Sequence, residues 1–336
     1  PLYELAVGAG WTGVDQLGSS NYLWARGLSL MGWTLGALAL LGWVQRRLRG
    51  PPVLYLLLYL FAPLGVVMSR NIQPDSLALG IFLASLLLLD LRRDAPSRAR
   101  STGLFLSGGL ALGLSLAMDA TLVGGLAAPL WLAWKAPSSG DSNSGTGGVP
   151  GFARLVVLAL LAFLPLALWV THLQDQGRPN ALGLLVGWTA SAGSLWGMIL
   201  ELSSWRPMVG TGLVALLTPL GAVAMLELFV RRDALEELTP FVLGLFGFAL
   251  WFLPWGLLFG SRTFEFYPVL PFVSVAVGSG LLASWQRAYE LPRLQRLLAS
   301  GGLLSLLVTS IILGLNFSSK AHERDSRVEL WGSLLP

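Results

Sequence analysis

The chain has 336 residues, of which 54% are hydrophobic and only 12% are charged, and its formal net charge is +4. Soluble proteins carry about 25% charged residues, so this composition excludes an ordinary water-soluble domain and points to lipid as the surrounding solvent. The absence of cysteine excludes disulfides, thiolate catalysis and cysteine-ligated metals. The basic residues lie in short loops rather than on one face, which is not the pattern of a nucleic-acid-binding protein.

Repeated apolar segments predict transmembrane helices, because about 20 apolar residues cross roughly 30 Å of hydrocarbon. In chain order these segments are 23–44, 53–69, 75–91, 103–118, 120–134, 154–171, 208–230, 239–260, 266–285 and 300–317. We therefore expect an all-α fold, a polytopic transmembrane helical bundle of about ten spans.

Short basic loops orient these spans. Basic residues cluster at 45–50, 91–101, 230–233 and 285–296. The positive-inside rule places such loops in the cytoplasm. The loops at 69–76, 172–207 and 260–268 then face the other side of the membrane.

Residues 103–134 allow two interpretations. A single helix of this length would run roughly 48 Å, which is too long for one crossing without strong tilt. A break near Asp119 instead gives two short helices with the aspartate at the turn, and residues 182–200 then form an interfacial helix on the outer surface. Without the break, residues 182–200 must cross the membrane as well. We favour the break, because a carboxylate in mid-bilayer is unfavourable, and Asp119 is then a turn residue rather than a proton relay.

The chain divides into segments of different character. The stretch at 135–153 is rich in Gly and Ser and predicts a flexible cytoplasmic linker. The opening PLYELAVGAGW has neither an initiator Met nor the features of a signal peptide, so we expect the chain to start in an outer loop that follows a first span outside this sequence. The predicted segments are 1–22, the end of that loop; 23–134, the core spans; 135–153, the linker; 154–317, the second half of the bundle with an outer loop at 172–207; and 318–336, a tail.

Arginines lie at the outer ends of several predicted spans, against the positive-inside bias. They are Arg26, Arg70, Arg206 and Arg262. A guanidinium group binds phosphate through two parallel hydrogen bonds, and the nearby carboxylates Asp75 and Glu265 can orient the arginines or a sugar hydroxyl. The pattern favours a site that holds a lipid-linked phosphate at the membrane surface.

Each of these residues also has a simpler interpretation. Asp75 opens a helix, where a carboxylate caps free N–H groups and meets the positive end of the helix dipole. Arg70 lies at a span end, from which its side chain can extend to the lipid headgroups. Arg262 and Tyr267 can anchor the chain at the membrane interface. These alternatives remain open from the residues alone.

Several stretches resemble polyprenyl-phosphate-sugar-dependent glycosyltransferases of the GT-C fold, the superfamily of protein O-mannosyltransferases and lipid A aminoarabinose transferases. The resemblance covers most of 1–134 and a patch near 260–285, and its most specific part is the family's Ser-Arg-x-x-x-Pro-Asp junction. The residues that carry it are PLY at 1–3, ARGL at 25–28, SRNIQPD at 69–75, the Gly-Leu-rich 107–134, and FEFYPVLPFVSVAVGSGL at 264–281. The chain departs from the pattern at Met118 and Asp119, where family members usually carry Lys.

The resemblance implies a GT-C-like fold and an inverting glycosyltransferase. A sugar would move from a polyprenyl-phosphate donor to a lipid, glycan or protein acceptor on the extracytoplasmic face, with arginines stabilising the departing phosphate. The general base of the family, an Asp, lies upstream of Pro-Leu-Tyr, so we expect the catalytic base to lie outside this chain. The substrate-binding residues implied here are Tyr3, Arg26, Arg70, Asp75, Arg262 and Tyr267. The location implied is a bacterial plasma (inner) membrane, which a multi-pass protein would cross.

Two other functions and the cofactor question stay open. A multi-pass transporter would place polar groups near the bilayer midplane, and a non-catalytic GT-C-like protein would bind a lipid-linked glycan without transferring it. We expect no cofactor beyond the donor substrate and no metal site. His172 and His322 are far apart in sequence and form no zinc-binding pair, and the scattered outer carboxylates give no argument for a divalent ion.

Overall fold

The computed structural model describes residues 21–48, 51–62, 75–135, 151–175, 238–248, 250 and 267–324. Within these ranges the regular elements are all helical and no strand occurs, which confirms the expected all-α class. The helices are α1 (Asn21–Arg47), α2 (Pro52–Phe61), α3 (Asp75–Leu91), α4 (Arg98–Met118), α5 (Ala127–Trp134), α6 (Gly151–Asp175), α7 (Leu238–Phe248), α8 (Leu270–Glu290) and α9 (Arg293–Arg324). Short 3₁₀ helices occupy Arg92–Asp94 and Ala120–Leu126.

Five stretches of these helices are long and apolar enough to cross a membrane, which indicates a membrane protein. They are Arg26–Arg47, Arg98–Met118, Gly151–Leu168, Tyr267–Glu290 and Arg293–Leu313. Shorter apolar helices cover part of the spans predicted at 53–69, 120–134 and 239–260, and α3 matches the prediction at 75–91. The span predicted at 208–230, the possible helix at 182–200 and most of the linker lie outside the described residues.

The predicted break at Asp119 is confirmed. Helix α4 ends at Met118, and Asp119 caps the following 3₁₀ helix by accepting a hydrogen bond from the Thr121 backbone N–H. The prediction of a short first helix from residue 103 is wrong, because α4 begins at Arg98. Ser97 caps this earlier start by accepting a hydrogen bond from the backbone N–H of Arg100, which satisfies one of the free donors of a helix N-terminus.

Helix α9 also exceeds its prediction. The predicted span ends at 317, whereas the helix continues to Arg324, so the tail predicted for 318–336 begins inside a helix. The stretch after Phe317 contains neither Gly nor Pro before the helix ends, and without such a residue the backbone has no local reason to leave the helical conformation.

Helices α1 and α3 make a close backbone contact. A Cβ atom on Gly32 would overlap the backbone of Leu77 and would lie 2.6 Å from the Ser76 carbonyl oxygen, and one on Gly80 would overlap the Gly32 carbonyl oxygen. Small residues at such a crossing allow the two backbones to touch, which is how helices associate in lipid, where burial of apolar surface gives little driving force.

An ion-pair network ties the ends of α1 and α3 together. The buried carboxylate of Asp90, 1% exposed, lies 2.9 Å from the Arg47 Nε, while the more exposed Asp94 accepts hydrogen bonds from Arg46 and Arg47. Arg93 also lies 3.8 Å from Asp90. We call this the basic end of the bundle, because arginines outnumber the carboxylates there.

Arg92 extends the basic end to α5. Its guanidinium donates hydrogen bonds to the carbonyl oxygens of Ala133, in the last turn of α5, and of Lys135, which follows it, and it lies over the ring of Phe105. Burial, and then the positive charges of Arg154 and Arg93, lower the pKa of Arg92 to about 10, which still leaves it charged at neutral pH. The charge therefore meets the negative end of the α5 dipole.

An aromatic cluster fills the interior between α3, α7 and α8. Phe272 contacts Phe82, Phe241 and Phe248 with ring centroids 6.3, 5.3 and 5.3 Å away. Apolar side chains of α6 and α9 point outward instead, with Leu304 61% exposed and Ile312 60% exposed. Apolar surface of this extent suits contact with lipid.

Replacing Gly80 with Ala should separate α1 from α3, because the new methyl group overlaps the Gly32 carbonyl oxygen. We expect the free energy of unfolding to fall by about 1–3 kcal/mol, as for other overpacked sites. Thermal unfolding of the detergent-solubilised protein measures this. Gly103→Ala on α4 is the control, since a Cβ there meets nothing within 4 Å; an equal loss of stability in both variants would contradict the contact.

Replacing Asp90 with Ala should destabilise the fold far more than replacing Asp94. Asp90→Ala leaves the Arg47 charge without its buried partner, which costs about 3–5 kcal/mol. Asp94 is 43% exposed, so Asp94→Ala should cost less than about 1 kcal/mol. Chemical denaturation of both variants compares the two values, and a similar cost for each would show that the buried pair is not the main contact at this end.

Candidate functional site

A second group of polar residues lies at the end of the bundle opposite the basic end. Arg26 lies near this end in the first part of α1, and α3 begins there with Asp75. Leu28 and Leu77, each two residues further along, pack against Met118 at the end of α4, so Asp119 belongs to the same end. We call this the Asp75 end, and its described polar residues are Arg26, Asp75, Ser76, Asp119 and Tyr267.

Tyr267 and Asp75 lie near each other at the Asp75 end, although they are distant in sequence. The Tyr267 ring is fully buried, and Asp75, Ser76 and Tyr59 are close enough to act on its hydroxyl, although that hydroxyl makes no hydrogen bond of regular geometry within the described residues. Asp75 occupies the first turn of α3, where the positive end of the helix dipole favours its negative charge. Two of the predicted site residues are thus brought together.

The local sequence explains why Tyr267 is held there. Residues 267–269 form a turn of 3₁₀ helix, and α8 follows at Leu270 with Pro271 in its first turn. Proline is favoured in this position because its missing N–H would have no partner in the helix anyway. The turn and the buried start of α8 fix the tyrosine against the first turn of α3.

The other predicted site residues have different outcomes. Arg26 lies in the first part of α1 at the Asp75 end and is half-buried. Tyr3, Arg70 and Arg262 lie outside the described residues, as do Arg206 and Glu265. Their part in a site stays a prediction.

Tyr59 is the site neighbour that sequence reasoning missed. It lies on α2 and is fully buried, and Tyr267 is close enough to act on its hydroxyl. Its side chain fits beside Gly36 of α1, where a Cβ atom would lie 2.7 Å from the hydroxyl oxygen. A tyrosine within an apolar helix is normally interpreted as an ordinary core residue. No local pattern connects Tyr59 to Tyr267, which lies more than two hundred positions further along the chain.

Asp119 makes local contacts. Its Oδ1 accepts hydrogen bonds from the Thr121 backbone N–H at 2.9 Å and from the Thr121 hydroxyl at 2.6 Å. Burial raises the pKa of its carboxyl above the usual range, against the opposing effect of these two hydrogen bonds. This geometry is that of a helix cap at a turn, the role that the sequence favoured over a proton relay.

No metal-binding group is found in the described ranges, since no three His, Cys, Asp or Glu side chains there are arranged to hold an ion. The Asp75 end offers one carboxylate from α3 and hydroxyl groups from two tyrosines and a serine. Such a set can donate and accept hydrogen bonds to hydroxyl groups or phosphate oxygens.

Comparison with known proteins adds no relative to this picture. No protein-family model, curated protein sequence or solved structure matches the chain.

Asp119→Asn should leave the protein at least as stable as the natural chain at neutral pH, because an amide keeps the capping oxygen without a charge to desolvate. A carboxyl whose folded pKa is raised stabilises the fold most below its unfolded pKa, about 3.9, and loses this contribution as the pH rises through the folded value. Thermal unfolding at pH 7 and near the unfolded pKa tests whether the stability that Asp119 contributes falls as the pH rises. Asp119→Ala should lose about 1 kcal/mol; an Asn variant less stable than the Ala variant would contradict the capping role.

Proposed function

We propose that this chain belongs to an integral-membrane, multi-pass glycosyltransferase of the GT-C type, which moves a sugar from a polyprenyl-phosphate donor to a lipid, glycan or protein acceptor. The observation that carries the proposal is that Asp75, in the first turn of α3, and Tyr267, just before α8, lie near each other. Asp75 and Tyr267 come from two separate stretches, 69–75 and 264–281, and both stretches carry the resemblance to that superfamily. An unrelated membrane bundle has no reason to bring these two stretches together.

The distribution of charge supports an outward-facing site. By the positive-inside rule the basic end, with its arginines, lies in the cytoplasm, and the Asp75 end then lies on the extracytoplasmic side. The proposed location is a bacterial plasma membrane, where a polyprenyl-phosphate sugar is presented at the outer face. Arg26 lies at the Asp75 end, although the positive-inside rule favours arginines on the cytoplasmic side. An arginine that binds a lipid-linked phosphate at the outer face would have this position.

The proposed reaction is an inverting transfer. The acceptor hydroxyl attacks the anomeric carbon, the bond from that carbon to the phosphate oxygen breaks, and the acceptor proton passes to a carboxylate base. The polyprenyl phosphate leaves with the bonding electrons, and arginines stabilise the charge that develops on it. Asp75 and Tyr267 would form one wall of the sugar and phosphate pocket.

The alternatives predict a different placement of polar groups. A transporter would line a path near the middle of the bundle, whereas the middle between α3, α7 and α8 is filled by Phe272 and its aromatic neighbours. Asp119, the residue that most favoured transport, makes a local cap. A non-catalytic protein that binds a lipid-linked glycan would keep the same Asp75 end and differ only in lacking transfer.

Asp75→Asn and Arg70→Ala in the full-length protein should each lower sugar transfer by about 100-fold, the size typical of a lost charge-stabilising contact at a reacting centre. Sugar release from a polyprenyl-phosphate sugar by reconstituted protein measures the rate. Asp94→Asn, at the basic end, is the control and should transfer at the natural rate.

Three other results would each contradict the proposal. Unchanged transfer in Asp75→Asn and Arg70→Ala would remove these residues from the site. Solute uptake into vesicles without transfer would favour a transporter. Tight binding of the donor without any transfer would favour a non-catalytic lipid-linked-glycan binding protein.

A further inference from the structure

We propose that a cavity at the basic end binds the phosphate group of an anionic phospholipid from the cytoplasmic leaflet. The cavity has a volume of about 140 Å³. Roughly 10–15 Å³ of accessible space is enough for one water molecule, so a phosphate group fits. Two arginines, a carboxylate and apolar side chains contribute to its wall, among them Arg46, Asp94, Ala95, Arg100 and Leu104. The site lies at the opposite end of the bundle from Asp75, and its existence does not depend on the proposed function.

Two arginines in the cavity wall supply positive charge from different helices. Arg46 belongs to the last turn of α1, and Arg100 belongs to the first turn of α4. Guanidinium groups bind phosphate through two parallel hydrogen bonds. Arg100 is exposed, and no ion pair among the residues that the structure describes includes it. Its guanidinium is therefore available to an anionic ligand.

The carboxylate in the wall, Asp94, does not cancel this charge. Its Oδ2 accepts hydrogen bonds from both Arg46 and Arg47, the second at 3.2 Å. Arg47 also pairs with the buried Asp90, so these two arginines balance the two carboxylates. Arg100 then gives the cavity a net positive charge, which favours an anionic headgroup over a zwitterionic one.

The cavity lies at the depth of the lipid headgroups. The stretch of α1 that is apolar enough to cross a membrane ends at Arg47, and the corresponding stretch of α4 begins at Arg98. The cavity residues therefore lie where two spans leave the hydrocarbon. The positive-inside rule puts this end on the cytoplasmic side, and basic pockets between helices on that side bind the headgroups of anionic lipids.

The outer surface of α4 favours a lipid over a free phosphate ion. A Cβ on Gly103, about one turn after Arg100, meets nothing within 4 Å, so the space beside this part of the helix is open. Residues four apart lie on the same face of a helix, and the next such residues form an exposed apolar strip: Leu106 (42% exposed), Leu110 (51%) and Leu114 (45%). A phospholipid held by Arg100 would lay an acyl chain along this strip, whereas a free phosphate would make no use of it.

The first test measures which lipid the full-length protein retains. The protein is purified in mixed micelles with equal amounts of phosphatidylglycerol and phosphatidylcholine, and native mass spectrometry gives the ratio of the two lipids bound. We expect phosphatidylglycerol to be preferred, and Arg100→Gln to lower the ratio about tenfold, the effect of one lost hydrogen bond between charged groups. Arg98→Gln is the matched control and should leave the ratio unchanged, because Arg98 is exposed on the same helix but lies outside the cavity wall. Equal ratios in the natural protein and Arg100→Gln would overturn the site.

A second pair of variants separates the cavity from a general attraction between a basic surface and anionic lipid. Ala95 lines the cavity and is 7% exposed, so Ala95→Leu fills the space while leaving every charge in place, and it should abolish the preference for phosphatidylglycerol. Thr102→Leu adds an apolar side chain at an exposed position of α4 outside the cavity wall and should keep the preference. Thermal unfolding without added lipid shows that both variants are folded, and a preserved preference in folded Ala95→Leu would overturn the cavity as the binding place.

The third test distinguishes a lipid from free phosphate. A ligand that binds only the folded protein raises its unfolding temperature. Phosphatidylglycerol should raise the unfolding temperature of the natural protein and raise that of Arg100→Gln much less, whereas inorganic phosphate at the same concentration should raise neither. An equal rise with inorganic phosphate would overturn a lipid as the occupant. None of these measurements involves sugar transfer, so they decide the lipid site whether or not the proposed function holds.

Discussion

The backbone contact between α1 and α3 at Gly32 and Gly80 is the constraint on which the described part of the bundle depends. Because these two helices touch without intervening side chains, every residue along them acquires a fixed neighbour. Toward one end this alignment brings Arg47 to the buried Asp90. Toward the other it places Asp75 and Arg26 at the same end of the molecule, and between the two it leaves beside Gly36 the slot that receives Tyr59.

The polar groups described above lie at two opposite ends of the bundle. At the basic end, arginines pair with two carboxylates and donate hydrogen bonds to carbonyl groups at the end of α5, so their charges are largely used in holding helices together. At the Asp75 end, the hydroxyl groups of Tyr59 and Tyr267 are buried but poorly satisfied within the described chain.

The predictions that succeeded came from strong local signals. Apolar periodicity and composition identified the helical class, and the helix break at Asp119 followed from the cost of placing a carboxylate in lipid. The errors were at boundaries. Ser97 starts α4 earlier than its apolar residues suggested, and α9 continues beyond its apolar segment, because helix ends are decided by caps and breakers rather than by hydropathy.

The sequence by itself determined that the described chain is helical and apolar enough for lipid, that basic residues collect in short loops, and that Asp75 begins a helix. These are consequences of local composition and of short-range hydrogen bonding. Only the tertiary structure decided that Tyr267 lies beside Asp75 and that Tyr59 lies beside Tyr267. Contacts between distant residues depend on how closely the helices pack, and that packing is set by glycines whose partners lie on another helix.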